Sequence, residues 1–136
     1  MKRRLLDLLA CPVCRSQLEL TVFEESRQPV GIAVRAPACR ERCNLKGVRL
    51  VDLQAAPGDA ECTACYAREI EEGILACGGC GALYPIVAAI PRLVRGAERE
   101  YASFFDRHRD AVRKLVGCES LSEAAVARDA SVFDPR

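Results

Sequence analysis

Tryptophan is absent, methionine and histidine occur once each, and the remaining aromatics are three tyrosines and four phenylalanines in 136 residues. A core must be assembled from Leu, Val, Ile and Ala, and a small domain so built gains from covalent or metal staples. One histidine leaves no material for a Ser/His/Asp set or a histidine-rich catalytic metal. No GxxxxGK or GxGxxG phosphate cradle occurs. An excess of either charge is also missing. Lys and Arg number 20 against 19 Asp and Glu, so there is no basic footprint for nucleic acid and no aromatic interleaving for base stacking. No run of 18 apolar residues is present, which argues against a membrane span. In MKRRLLDLLACP, Asp7 interrupts an apolar stretch too short for a signal peptide. A cytoplasmic protein is expected.

What the chain has in quantity is cysteine, at 11, 14, 39, 43, 62, 65, 77, 80 and 118. Eight of the nine fall in four close pairs. In a reducing compartment such pairs bind metal more often than they form disulfides. A tetrahedral structural zinc takes four N or S ligands; iron also accepts an all-thiolate shell. His108 lies on a helical stripe far from every pair and reads as a half-buried surface histidine. The ligands are therefore thiolates, and Cys11, Cys14, Cys39, Cys43, Cys62, Cys65, Cys77 and Cys80 suffice for one or two ions. Cys118 follows a helix C-terminus, where no dipole lowers its pKa, and reads as structural. In CGGCG, Gly78, Gly79 and Gly81 are expected to supply positive φ; in CPVCR, Pro12 pre-sets the turn. The pairs divide between two ions in sequential, nested or interleaved fashion. Loop-closure entropy favours the sequential scheme.

Alternation predicts strands over Leu18–Val22, Val48–Leu53, Leu83–Val87 and Ile90–Val94, with a short one near Gly31–Arg35. Pro85 and Pro91 place the last two long ones at sheet edges or strand ends. Glu24–Val30 reads as a loop, QAAPGD as a turn, and Glu69, Glu71 and Glu72 as a solvated turn. Beyond Gly96, Tyr101, Phe104, Phe105, His108, Val112, Leu115 and Val116 recur on one helical stripe. Glu98 and Glu100 sit in the first turn and Arg113 and Lys114 in the last. Ser120 and Glu123 open a second helix through about Arg128.

The two ends carry more than cysteines. LLDLLACPVCRSQLEL and EGILACGGCGALYPIVAAIPRL resemble the two halves of the small zinc-ribbon methyltransferase-activator family, over about residues 4–22 and 72–94. The resemblance implies a small α+β fold, a zinc ribbon of short antiparallel strands. It also implies the nested scheme, with Cys11, Cys14, Cys77 and Cys80 sharing one zinc. This chain departs from the pattern in three places. Ala88-Ala89 stands where Asp-Gly is usual, and Ala82 where a basic residue is usual. About fifty residues with their own cysteine quartet are inserted between the halves. The expected organisation is a ribbon at 1–95 with an insert at 24–71, followed by a C-terminal helical arm at 96–136.

A four-thiolate shell leaves no open position for catalysis, and no enzyme is expected. The resemblance implies a non-catalytic subunit that binds and stabilises an S-adenosylmethionine-dependent, Rossmann-type (class I) methyltransferase carried on another chain. Nucleic acid would then be met only through that partner. The candidate contact residues are Leu83, Tyr84, Ile86, Ile90, Leu93, Tyr101, Phe104 and Phe105. The alternative is a zinc-ribbon nucleic-acid or ribosome-associated binding protein.

Overall fold

The computed structural model describes residues 1–116; the second helix expected from Ser120 and the residue Cys118 lie outside them. A 3₁₀ turn at Arg3–Leu8 leads to strand β1, Leu18–Arg27. After an excursion come a two-residue hairpin, β2 (Arg42–Cys43) and β3 (Val48–Arg49), and helix α1, Asp59–Tyr66. The chain returns through β4 (Arg68–Cys77), β5 (Leu83–Val87) and β6 (Ile90–Pro91). Three short helices complete the described residues, α2 (Ala97–Glu100), α3 (Ala102–Arg107) and α4 (Arg109–Val116). The main sheet is antiparallel in the order β1-β4-β5-β6. This is the small α+β architecture expected, built on short antiparallel strands.

The β1–β4 ladder positions everything else. It runs from Leu18↔Cys77 to Arg27↔Arg68, so of the stretch expected as a loop Glu24–Arg27 is strand, and only residues 28–30 lie outside it. Leu18, Leu20 and Val22 lie opposite Cys77, Leu75 and Gly73, and with Tyr84, Ile86 and Ala97 they form one core face against Leu5, Leu6 and Leu9. Strict alternation from Leu75 would next turn Glu71 inward. Instead Phe23 and Glu71 are skipped in the register. The slip puts Ile70, fully buried, into the core, while Glu71 accepts a hydrogen bond from Ser26 Oγ at 2.6 Å. Each such aliphatic side chain contributes about 2 kcal/mol by burial. A Cβ at Gly73 would lie 2.5 Å from the Thr21 carbonyl oxygen, so only glycine fits there.

The carboxylates read as a solvated turn are strand residues with partners. Glu69 meets the Met1 ammonium and Lys2 Nζ, the latter at 2.9 Å; Glu72 meets His108 at 2.8 Å and Arg107 at 3.3 Å. Leu83–Val87 is not an edge strand, since β6 lies outside it. Pro85 nevertheless limits the sheet. Its carbonyl accepts from Arg92 N at 2.9 Å, but proline has no N–H to return, and the β5–β6 pairs stop at Ile86↔Pro91. Gly31–Arg35 forms no strand, Val48–Leu53 becomes β3 plus a 3₁₀ turn, and α1 is a helix where none was expected.

The stripe beyond Gly96 is not one helix. It breaks at Tyr101 (φ −111°, ψ 38°) and His108 (φ −107°, ψ 20°). Both rings turn toward the body of the protein. Tyr101 packs on the main core. Phe104 is buried against Phe23 and His108, with centroids 6.2 and 4.6 Å away, and His108 stacks on Phe23 at 4.6 Å. Leu115, further along, is exposed.

Two outcomes are expected. Ala88 and Ala89 form the two-residue β5–β6 turn with φ of 50° and 64°, a left-handed conformation that costs an alanine about 1–2 kcal/mol. Ala88→Asn with Ala89→Gly should raise the urea unfolding free energy by about 1–2 kcal/mol. At Glu69 burial raises the pKa, but the Met1 ammonium and Lys2 overcome it and hold the carboxyl below its ordinary value. A depressed carboxyl stabilises the fold above its unfolded pKa of about 4.3, and that contribution is lost as pH falls through the native value. Glu69→Gln should therefore be less stable than wild type at pH 7, with the gap closing below about pH 4 in thermal melts.

Candidate metal centre

Cys11 and Cys14 belong to one tight turn, Cys77 and Cys80 to another, and the two turns are bonded alike. Arg15 N donates to Cys11 O at 2.8 Å and Cys11 N to Ser16 O at 3.0 Å; Gly81 N donates to Cys77 O at 3.0 Å and Cys77 N to Ala82 O at 2.8 Å. Each turn needs a left-handed residue four positions after its first cysteine. In the second this is Gly81 (φ 76°), and in the first it is Arg15 (φ 64°), without glycine's freedom. Positive φ was expected at Gly78 and Gly79 as well, but of the three glycines Gly81 alone adopts it. Gly79 serves a different end, because a Cβ there would collide with the Ser16 side chain and lie 3.1 Å from Cys14 Sγ.

The Leu18↔Cys77 pair sets both turns at one end of the sheet. The sulfurs of Cys11, Cys14, Cys77 and Cys80 all lie within 4.8 Å of one another. Cys11 Sγ is 3.6 Å from Cys80 Sγ, and Cys14 Sγ 3.3 Å from Cys77 Sγ. Zinc–sulfur bonds of about 2.3 Å around a tetrahedron put sulfurs about 3.8 Å apart, so the donor set fits such an ion. Among the described residues this is the one group of three or more ligating side chains gathered so closely. The first quartet of the nested scheme is therefore the one drawn together, whereas loop length favours the sequential pairing. The longer loop is a little over one doubling, about 0.8 kcal/mol, a cost that the β1–β4 ladder outweighs.

The surroundings are built for charge on sulfur. Burial alone pushes the Cys11 thiol up. Hydrogen bonds from Tyr84 Oη, at 3.1 Å, from the backbone of Cys14 and Val13, and from Cys80 bring it down to about 6. Ser16, through its hydroxyl and its N–H, lowers Cys14. Cys80 is half-buried, and desolvation, with the three neighbouring sulfurs adding to it, pushes its thiol up to about 12. Four thiols this close cannot all ionise against one another, and a divalent cation at their centre removes the conflict. Cys80 N also points at Cys77 Sγ, 3.4 Å away.

Tyr84 is the residue that sequence reasoning misplaced most. The sequence places it among the partner contacts, yet its ring is buried and its hydroxyl serves Cys11. Its place follows from the strand register, which pairs it with Leu75, two residues before Cys77. Ile86 and Phe104 are likewise buried in this chain's own packing, because the sheet and the aromatic cluster close over them. Leu83, Leu93, Tyr101 and Phe105 are half-buried, and Ile90 is 52% exposed. Cys39, Cys43, Cys62 and Cys65 lie apart from the first quartet, around a separate recess.

Tyr84→Phe keeps the ring and deletes the donor. It should weaken metal affinity by roughly 10–100-fold in competition with a chromophoric chelator, leaving the far-ultraviolet circular dichroism unchanged.

The Trm112p-like family model matches residues 2–87. No curated protein matches the chain. Among solved structures, a chain of the E. cuniculi Mtq2–Trm112 complex, responsible for methylation of the eRF1 translation termination factor, is 21% identical. The match covers 69% of this chain and 95% of that one, with a TM-score of 0.46. The matched family stretch takes in both cysteine turns and all that lies between them, and the chain belongs to the Trm112p-like family, the methyltransferase-activator family that its two ends resemble.

Proposed function

We propose that this protein is a non-catalytic zinc-bearing subunit that binds and stabilises an S-adenosylmethionine-dependent methyltransferase of the Rossmann type. The observation that carries this reading is the family membership over residues 2–87 together with the thiolate clasp those residues build. When bound, zinc supplies a cross-link between chain segments; four thiolates leave it no position for water or substrate. Cys11, Cys14, Cys77 and Cys80 hold the ion, Tyr84 and Ser16 stabilise charge on sulfur, and the sheet they anchor offers its edges. β5 is flanked on both sides, so the edges are β1 and the short β6. An exposed edge recruits a strand from a partner, and Ile90 on β6, with half-buried Leu83, Leu93 and Phe105 nearby in sequence, supplies apolar contact. All eight described cysteines are free of disulfides, and among the described residues no helix is long and apolar enough to cross a membrane.

Affinity capture of the native full chain, followed by mass spectrometry, should recover a class I methyltransferase whose solubility and activity rise on co-expression. Ile90→Asp should weaken that complex by at least about tenfold, or 1.4 kcal/mol, without loss of metal. Recovery of a lone monomer, or of nucleic acid released by salt, would refute the reading.

A further inference from the structure

The excursion between β1 and β4 folds back on the N-terminal turn and is held there. Asp7 accepts from Arg40 N at 3.0 Å and from Asn44 Nδ2 at 3.1 Å, and Lys46 pairs with Glu61 at 3.2 Å across the excursion. Cys39 and Cys43 bracket the approach to the β2–β3 hairpin. Cys62 and Cys65 are three residues apart on α1, which puts them on one helix face. All four line a single recess. Cys43 and Cys62 are buried, and Cys39 and Cys65 half-buried.

Three observations distinguish this quartet from cysteines that merely fill space. The spacings, C-x₃-C and C-x₂-C, lie within the C-x₂₋₄-C range of structural zinc sites. The recess is rimmed by Lys2, Arg3, Arg4 and Lys46, with Glu61 beside Lys46; this basic majority suits the net negative charge of a divalent ion in four thiolates. Asn44 Nδ2 donates to Cys39 Sγ at 3.5 Å, the kind of outer contact that orients a ligand. The four sulfur-bearing residues share that one recess. They are less tightly drawn together than the first quartet, so closing on an ion asks the four to draw in.

We propose that Cys39, Cys43, Cys62 and Cys65 form a second all-thiolate site for a tetrahedral divalent metal ion, zinc by its chemistry, that staples the excursion to the N-terminal turn. The site is independent of the partner-binding role and stands or falls separately from it.

The test uses the full chain loaded with zinc. Native mass spectrometry and elemental analysis should count two ions per chain, and Cys39→Ser with Cys62→Ser should count one. Wild-type alkylation under native conditions should protect all four insert thiols with zinc present. Chelation should speed their modification at least tenfold, read by peptide mass mapping. The alkylation arm needs no variant, so a misfolded double mutant does not decide the matter. One ion per zinc-saturated wild-type chain, insert thiols alkylated equally with and without zinc, or native disulfides among them would each overturn the proposal.

Discussion

Two turns 63 residues apart in the chain can close around one ion because β1 and β4 pair antiparallel in a single register. Leu18 opposite Cys77 is the hinge of that arrangement. Shift the ladder by one residue and the apolar face of β1 turns to solvent as the two cysteine turns slide out of line. The ladder and the metal cluster are thus two statements of one constraint. Hydrophobic burial of Leu20, Leu75, Tyr84 and Ile86 selects the register, and the register delivers the sulfurs.

The same core tunes the chemistry of the site. Tyr84 is buried as a core ring, and for that reason its hydroxyl has a fixed position from which to reach Cys11. Two backbone turns of identical bonding present four sulfurs of unequal exposure, Cys11 and Cys77 buried and Cys14 exposed. The result is a centre closed to substrate and open only at its rim. Four thiolates leave an ion held there no open coordination position. A partner role follows more naturally from such a centre than catalysis does.

Strain and slippage in this fold sit at its connections. Arg15, Ala88 and Ala89 occupy left-handed backbone where glycine or asparagine would be easier. The paired skips at Phe23 and Glu71 free Phe23 to stack on His108 and Phe104, which ties the helical end of the chain to the middle of the sheet. The excursion between the long strands is fastened through Asp7 to the N-terminal turn, so the segment carrying the second cysteine quartet is docked on the ribbon.

Local pattern by itself determined a good deal: the absence of a histidine-based site, the thiolate character of any metal centre, the alternation of β1 and β5, and the change of character after Gly96. The family words at the two ends also pointed to the nested cluster, against the preference of loop length. These are properties of neighbouring residues, and neighbours are what a sequence displays. Tertiary structure alone decided that Glu24–Arg27 and Glu69–Glu72 are strand, since polar strands form there only because each lies against the other. It decided that Tyr84, Ile86 and Phe104 face inward, because which face of a strand or helix is covered depends on what packs over it. It also broke the C-terminal stripe at Tyr101 and His108. Those two rings gain more from the sheet's core and from Glu72 than from a straight helix, and both partners lie far away in the chain.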